Sequence, residues 1–282
     1  MKIQIIADSC CDTTEDLRRE IGMDFAPLKV QVEGGPQYTD TPAMDIRRFL
    51  KEMKSSKQAA GSACPSIEEY AEHMRKYEQS VVITLSDKLS GSYNSARVAR
   101  ELVMEEFPEK KIHIFVSESA SAGELRLALY IKDLIDAGES FETVVEKGTA
   151  FLAQMRTLFV LEDLENLIKN GRLNKVSGLV ASVLSLCPIM SDDGHGDIRM
   201  LSKARGMRQA LSKLVGEIRE ETALRLPKSL TLVIAYCNCP ERAAVLKADI
   251  LENCPAVGRV IVVPTGGVST VYANDGGIVV AF

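Results

Sequence analysis

The segment TLSDKLSGSYNSA (84–96) concentrates short hydroxyl side chains where an apolar run, SVVI, passes into the amphipathic pattern ARVARELVMEEF. Its hydroxyl residues are Thr84, Ser86, Ser90, Ser92 and Ser95. Hydroxyls at such a junction can act as nucleophiles, cap the helix, or donate hydrogen bonds to an anion. Each role makes a different demand on the residues nearby.

Nucleophilic catalysis by one of these serines is disfavoured by the positions of the histidines. A catalytic serine needs a base, normally histidine, that an acid holds in place. His73 is expected on the exposed side of a charged helix, His113 inside a strand and His195 in a polar turn, and no G-x-S-x-G motif occurs. A stand-alone hydrolase that uses Ser90 or Ser92 therefore remains only the alternative interpretation.

Anion binding is the second interpretation of the same segment. The N-terminus of a helix presents unpaired N–H groups and a partial positive charge, and both attract anions. Ser90 and Ser92 would add donors, and Gly91 would let a ligand approach the backbone closely. Ser9 and the segment 117–121 follow other predicted strands in a similar way. Ordinary helix capping explains these residue types too, so both interpretations stay open here.

Strand and helix patterns alternate through the first half of the chain. Apolar runs predict strands over 2–7, 24–33, 80–85 and 111–116. Amphipathic patterns predict helices over 13–22, 44–54, 66–77, 90–107 and 123–137, with Thr13 and Ser66 as N-caps of the first and third. This alternation predicts an α/β fold with a parallel sheet, helices on both faces, and ligands at the carboxyl ends of the strands.

The sequence pattern changes near residue 155. We therefore expect an N-terminal α/β domain over 1–155 and a C-terminal α+β domain over 156–282. The second half contains a predicted helix over 159–173 and strands over 229–237, 258–264 and 276–282. The almost uncharged stretch 175–190 is either a buried helix or the wall of an elongated apolar pocket.

Composition argues against several classes of protein. A formal net charge of -5 and an aromatic content of 5% argue against nucleic-acid binding, which needs a positive face and stacking platforms. No apolar run reaches the ~20 residues of a membrane span, although transient membrane contact stays open. Seven cysteines, an odd number without a preceding signal peptide, predict a reduced, cytoplasmic protein.

No metal or cofactor is predicted. Cys237 and Cys239 come nearest to a metal motif, but no histidine or second cysteine pair lies close to them in the sequence. Asp8, Asp12 and Asp40 could bind a cation, yet their spacing imposes no coordination geometry. Glycine-rich phosphate-binding motifs do not occur.

Six short motifs, in order and spacing over nearly the whole chain, resemble those of the DegV family, the fatty-acid-binding proteins of bacterial fatty-acid kinases. They are ADSCCD (7–12), SACPS (62–66), LSDKLSGSYNSA (85–96), NGRL (170–173), CPIM (187–190) and SKARG (202–206). The resemblance implies two α/β domains with a lipid between them, the acyl chain lying in an apolar tunnel formed largely by the second domain.

The resemblance also implies which residues would bind the lipid. Ser62 stands where the family has a carboxylate-binding threonine, and Ser90, Gly91 or Ser92 stands at the second hydroxyl position. The protein would then be a carrier rather than an enzyme. It would present a long-chain fatty acid to a kinase subunit, which phosphorylates the carboxylate to an acyl phosphate.

Three basic residues are candidates, by resemblance, for contact with the kinase subunit: Arg172, Lys203 and Arg205. Solvated surface charge or helix capping explains them as well.

One motif departs from the family pattern. The family often has H-T-G-P-G near the C-terminus, with the histidine touching the carboxylate, whereas this chain has PTGGV (264–268). Proline cannot donate a hydrogen bond. We therefore expect that Thr265 substitutes, that the head group is bound more weakly, or that a different apolar acid is carried.

Overall fold

The structure is a computed structural model that describes residues 3–174, 176 and 186–282. Its strands are β1 Ile3–Asp8, β2 Met23–Ala26, β3 Lys29–Val32, β4 Gln37–Thr39, β5 Ala60–Ala63, β6 Gln79–Thr84, β7 Lys111–Val116, β8 Thr157–Val160, β9 Cys187–Asp192, β10 Ile198–Ala204, β11 Leu230–Tyr236, β12 Val257–Pro264 and β13 Ile278–Ala281. Its helices are α1 Glu15–Ile21, α2 Ile46–Ser55, α3 Ile67–Lys76, α4 Ser92–Glu106, α5 Ala122–Asp136, α6 Phe141–Leu152, α7 Glu165–Lys169, α8 Met207–Glu221, α9 Pro240–Asn253 and α10 Gly267–Ala273.

A parallel sheet organises the first half of the chain, with strand order β2-β1-β6-β7. Successive residues of β1 face opposite sides, as the pleat of a strand requires. Ile5 packs into a core with Leu125 of α5, and Ile6 packs into another with Tyr70 of α3 and Ala99 of α4. The predicted parallel sheet with helices on both faces is confirmed. Its carboxyl edge brings together the segments that follow β1, β6 and β7.

A second, mixed sheet organises the other half, with strand order β10-β9-β8-β13-β11-β12. Helices α8 and α9 pack on one face, where Leu214 and Leu246 share a core with Ile234. Helix α5 of the first half packs on the other face, where Val233 shares a core with Leu125. The fold class, an α/β region with a second sheet-rich domain, is therefore as predicted. The domain boundary at residue 155 stays a prediction.

Two predicted elements are wrong. The expected strand over 24–33 is two strands: Pro27 follows β2, and β3 joins a separate small sheet with strand order β4-β3-β5. The expected helix over 159–173 is helical only in α7, because 157–160 pairs as a strand between β9 and β13. Thr14, whose hydroxyl accepts from Leu17 N, caps α1 in place of Thr13.

The uncharged stretch 175–190 lies outside the described residues except for 176 and 186–190. Cys187 to Met190 belong to β9, which pairs with β8 and β10. Within the part of the chain that the structure describes, no helix is both long and apolar enough to cross a membrane.

Candidate ligand-binding cavity

A largely apolar cavity lies between the carboxyl edge of the parallel sheet and the second sheet. It contains about 860 Å³ of space free of protein atoms, part of it open to solvent. Both halves of the chain contribute its apolar wall, which includes Leu28, Leu85, Leu89, Phe159, Leu161 and Val279. Such a wall favours a ligand with a long hydrocarbon part.

Polar side chains on the cavity wall meet where β5, α10 and the segment after α7 come together. Ser62 Oγ lies 3.0 Å from the hydroxyl of Tyr272, and either oxygen can be the donor. Ser90 also lines the cavity, and its Oγ accepts a hydrogen bond from Ser92 N at 3.2 Å. Arg172 completes the group, since its guanidinium carbon lies 5.8 Å from the centre of the Tyr272 ring. This group offers hydroxyl donors and one positive charge to an anionic head group.

Strand β5 and the end of α7 position this group. β5 pairs with β3, so Ser62 lies opposite Val30 and its side chain is held at the cavity wall. Asn170, just after α7, donates from its side-chain amide to Ala60 O at 2.8 Å. Arg172 follows two residues later and donates from Nε to Leu89 O at 3.2 Å. The segment predicted as the end of a long helix therefore carries a basic residue to the cavity.

Several predicted ligand-binding hydroxyls do not line the cavity. Ser92 is buried, donates to Asp8 Oδ2 at 2.6 Å and lies 2.6 Å from the hydroxyl of Tyr70. Ser9 donates to Asp40 Oδ2 at 3.0 Å. The structure therefore gives Ser9 and Ser92 structural partners, and their role in ligand binding stays a prediction.

Thr265 and Gly91 also lie off the cavity wall. Thr265 Oγ1 lies 2.9 Å from Thr270 Oγ1, and both residues are buried. Gly91 is exposed just before α4, where a β-carbon would meet Cys64 Sγ at 3.4 Å. Of the six candidate ligand-binding residues, the structure brings Ser62 and Ser90 to the cavity.

Two buried aspartates hold the start of α10 against the first half of the chain. Asp12 accepts a hydrogen bond from Gly266 N at 2.7 Å, while Asp40 accepts from Gly267 N at 2.6 Å and Val268 N at 3.0 Å. A β-carbon at Gly267 would lie 2.9 Å from Asp40 Oδ1, so glycine permits this close approach. Burial raises the pKa of Asp12 to about 7 and that of Asp40 to about 6, because an ionised carboxylate loses its water there.

Asp8, Cys10 and Glu124 form the group most able to offer ligand atoms to a cation, since one such atom of each lies within 4.8 Å of the others. Asp8 already accepts hydrogen bonds from Leu85 N at 3.0 Å, Cys10 N at 3.1 Å and the hydroxyl of Ser92. Burial, followed by the charge of Asp8, raises the pKa of Glu124 well above its usual range. Neither carboxyl oxygen of Glu124 has a hydrogen-bond partner among the described residues, and the raised pKa keeps this carboxyl neutral beside the buried Asp8.

The cysteines at 237 and 239 make other contacts. Cys237 Sγ donates to Thr270 Oγ1 at 3.7 Å, and Cys239 Sγ donates to Gly277 O at 3.7 Å. They are not among the clustered metal-ligating groups of the described residues. The expectation that the protein uses no metal or cofactor stays a prediction.

The sequence matches the family described as "Uncharacterised protein, DegV family" over residues 2–282. The chain belongs to the DegV family. A DegV domain-containing protein of Streptococcus pyogenes serotype M3 is 33% identical over 287 residues, an alignment that covers 100% of this chain and 99% of the relative.

Two solved structures of DegV type resemble the chain over its whole length. A DegV family protein from Ruminococcus gnavus, refined with vaccenic acid, is 40% identical, with a TM-score of 0.93 over 100% of this chain and 99% of that one. The Fatty Acid Kinase (Fak) B3 protein of Streptococcus pneumoniae, loaded with linoleic acid, is 31% identical, with a TM-score of 0.89 over 100% of this chain and 99% of that one.

In this DegV family member, the residue expected at the family's histidine position lies away from the cavity. Pro264 ends β12, pairs with Tyr236 and is exposed. The Thr265 hydroxyl lies beside that of Thr270. Tyr272 is the residue of α10 whose hydroxyl reaches Ser62. No sequence motif indicated this role for Tyr272, because its partner lies 210 residues away along the chain.

The three predicted kinase-binding residues have different surroundings. Arg172 lines the cavity, as described above. Arg205 is exposed immediately before α8, and its backbone N–H donates to Gln209 Oε1 at 3.2 Å. Lys203 is half-buried on β10, and its carbonyl accepts from Lys213 Nζ at 2.7 Å. Their contact with a kinase subunit stays a prediction.

Proposed function

We propose that the protein binds a long-chain fatty acid, with the acyl chain in the apolar cavity and the carboxylate facing Ser62 and Ser90. The observation that carries this proposal is a largely apolar cavity, with about 860 Å³ of space that is partly open to solvent, whose wall carries hydroxyl donors and an arginine. The fatty acids bound by the relatives from R. gnavus and S. pneumoniae support it.

The energetics assign different roles to the two parts of the ligand. Burying about 16 methylene groups at about 0.8 kcal/mol each gives roughly 13 kcal/mol, an upper bound before the cost of immobilisation. Hydrogen bonds to a charged group contribute about 1.5–3 kcal/mol each. The hydrocarbon tail therefore supplies most of the affinity, and the polar group fixes the orientation and selects for an acid.

The bound acid would be a substrate presented to another protein. His73, His113 and His195 do not line the cavity, and His73 is part-buried beside Asp24 instead of exposed, so a serine nucleophile there would lack a histidine base. A kinase subunit would phosphorylate the carboxylate, as the name of the S. pneumoniae relative suggests. Arg205 and Lys203, at the junction of β10 and α8, are our candidates for the surface that contacts it.

We place this carrier in the cytoplasm. All seven cysteines are free thiols, five of them buried, which suits a reducing compartment.

Native mass spectrometry of the purified chain, before and after lipid extraction, tests the binding proposal. We expect one fatty acid per chain, lost on extraction and restored by adding palmitic acid. A chain that carries no lipid and does not take up palmitic acid would contradict it.

A second experiment tests presentation to the kinase. The loaded chain is mixed with ATP and the catalytic subunit of a bacterial fatty-acid kinase, and acyl phosphate is trapped with hydroxylamine. We expect acyl hydroxamate with wild type and at least about tenfold less with Arg205→Glu, a charge reversal at a proposed contact. Lys247→Glu, on α9, serves as the matched control. Equal yields from wild type and both variants would remove Arg205 from the proposed surface, and no product at all would argue against the carrier role.

A further inference from the structure

The contact between Ser62 and Tyr272 leaves one hydroxyl hydrogen for a ligand. The two oxygens are 3.0 Å apart, so one hydroxyl donates to the other. Whichever one donates, the second O–H remains available, and both side chains line the cavity. A carboxylate has two oxygens, so it can accept from the serine and from the tyrosine at once if it displaces their mutual bond.

Arg172 makes this place favourable for an anion. Its guanidinium carbon lies 5.8 Å from the centre of the Tyr272 ring, and its Nε donates to the carbonyl of Leu89. Arginine and tyrosine therefore lie side by side on the cavity wall. Three acidic residues also line the cavity: Glu118, Asp192 and Asp197. The positive charge of Arg172 therefore favours a ligand carboxylate beside Tyr272 over other places on the described wall.

Helix α10 holds Tyr272 in place from both ends. Asp12 and Asp40 accept the backbone N–H groups at its start. Near its end, the side-chain amide of Asn166 donates to Val271 O at 2.8 Å. The phenol is therefore presented to the cavity by a short helix that is tied to both halves of the chain, which limits the entropy lost when a ligand binds.

We propose that Tyr272 is a direct hydrogen-bond donor to the ligand's carboxylate, paired with Ser62, and that it makes the cavity selective for acids over alcohols of equal length. The inference rests on the proposed function and assigns it a residue that neither the sequence motifs nor the comparisons indicate. Tyr272 takes the role for which Thr265 was expected.

A double-mutant cycle separates direct contact from mere positioning of Ser62. The delipidated chain is titrated calorimetrically with palmitic acid and with hexadecanol, in wild type, Tyr272→Phe, Ser62→Ala and the double variant. Tyr272→Phe removes one oxygen and keeps the ring beside Arg172. Tyr130→Phe is the matched control, because Tyr130 stacks on Phe151 and does not line the cavity. Circular dichroism verifies that each variant is folded.

We expect Tyr272→Phe to weaken palmitic acid binding by about tenfold or more, the equivalent of one charge-assisted hydrogen bond, and to change hexadecanol binding by less than about twofold. The loss should persist in the Ser62→Ala background, and Tyr130→Phe should bind both ligands like wild type. Three results overturn the inference and leave the proposed function intact: no loss of affinity in Tyr272→Phe, a loss that is equal for acid and alcohol, or a loss that disappears in the Ser62→Ala background. A wild-type chain that binds neither ligand overturns both.

Discussion

Replacing Asp12 with asparagine should make the protein progressively more stable, relative to wild type, as the pH rises. Asp12 is buried, and its pKa is raised from 3.8 to about 7 because burial disfavours the ionised form. A raised pKa in the folded state means that the folded chain holds this proton more tightly than the unfolded chain. This tighter proton binding contributes to the free energy of unfolding in full below the pKa of the unfolded chain, and the contribution is lost as the pH rises through the pKa of the folded chain.

The magnitude follows from the size of the pKa difference. A rise from 3.8 to about 7, at about 1.36 kcal/mol per pH unit, corresponds to about 4 kcal/mol, of which about 3 kcal/mol is lost between pH 5 and pH 8. Asparagine does not titrate, yet its side-chain oxygen can still accept from Gly266 N and its amide can donate to Ser121. The hydrogen bonds at the start of α10 are therefore kept while the cost of the buried charge is removed.

Urea unfolding of wild type and Asp12→Asn at pH 5, 6, 7 and 8 measures this effect. We expect the free energy of unfolding of the variant to gain about 3 kcal/mol on wild type across this range. Asp249→Asn, at an exposed position on α9, is the matched control and should show no such trend. If the difference in the free energy of unfolding between Asp12→Asn and wild type is constant with pH, or becomes less favourable to the variant as the pH rises, Asp12 does not have a raised pKa in the folded chain.

Three further substitutions test the roles given to buried and cavity residues. Asp40→Asn should lower the free energy of unfolding by about 1–3 kcal/mol at pH 7. Each carboxylate oxygen of Asp40 accepts a hydrogen bond from one backbone N–H group, and asparagine would place its NH2 group against one of them; an unchanged urea midpoint would contradict this. Ser92→Ala should lower the free energy of unfolding by about 1–3 kcal/mol, because Asp8 and Tyr70 lose a buried hydrogen-bond partner. It should leave the affinity for palmitic acid within about twofold of wild type; a loss of affinity without a loss of stability would show that Ser92 contacts the ligand. Val279→Phe should weaken palmitic acid binding more than binding of shorter octanoic acid, since Val279 lines the cavity; equal effects in calorimetry would place the tail elsewhere.

Local sequence signals predicted most of the fold. Ser66 was expected to cap a helix, and it forms a capping box with Glu69. The strand over 111–116 has the predicted bounds. Predictions failed where tertiary pairing decided the outcome. The run 24–33 passes from one sheet to another at Pro27, and no local pattern records which sheet each part joins.

The cavity was only partly predictable, for a related reason. Ser62 and Ser90 could be found, because each stands in a motif that resembles those of the DegV family, and Ser90 also follows β6 at the carboxyl edge of the parallel sheet. The places of Tyr272 and Arg172 on the cavity wall could not be predicted. Tyr272 contacts Ser62, which lies 210 residues away along the chain, and Arg172 reaches the wall through the contact of Asn170 with β5. Sequence spacing carries no information about contacts between segments so far apart.

A crystal structure of the chain with palmitic acid would show where the acid binds and which residues its carboxylate contacts. We predict one molecule in the cavity, with its tail against Phe159 and Val279 and its carboxylate oxygens within hydrogen-bonding distance, about 3 Å, of Ser62 Oγ and the hydroxyl of Tyr272. A lipid bound in the reverse direction, or found outside the cavity while the Ser62–Tyr272 contact stays intact, would contradict the proposed binding of the carboxylate by Ser62 and Tyr272.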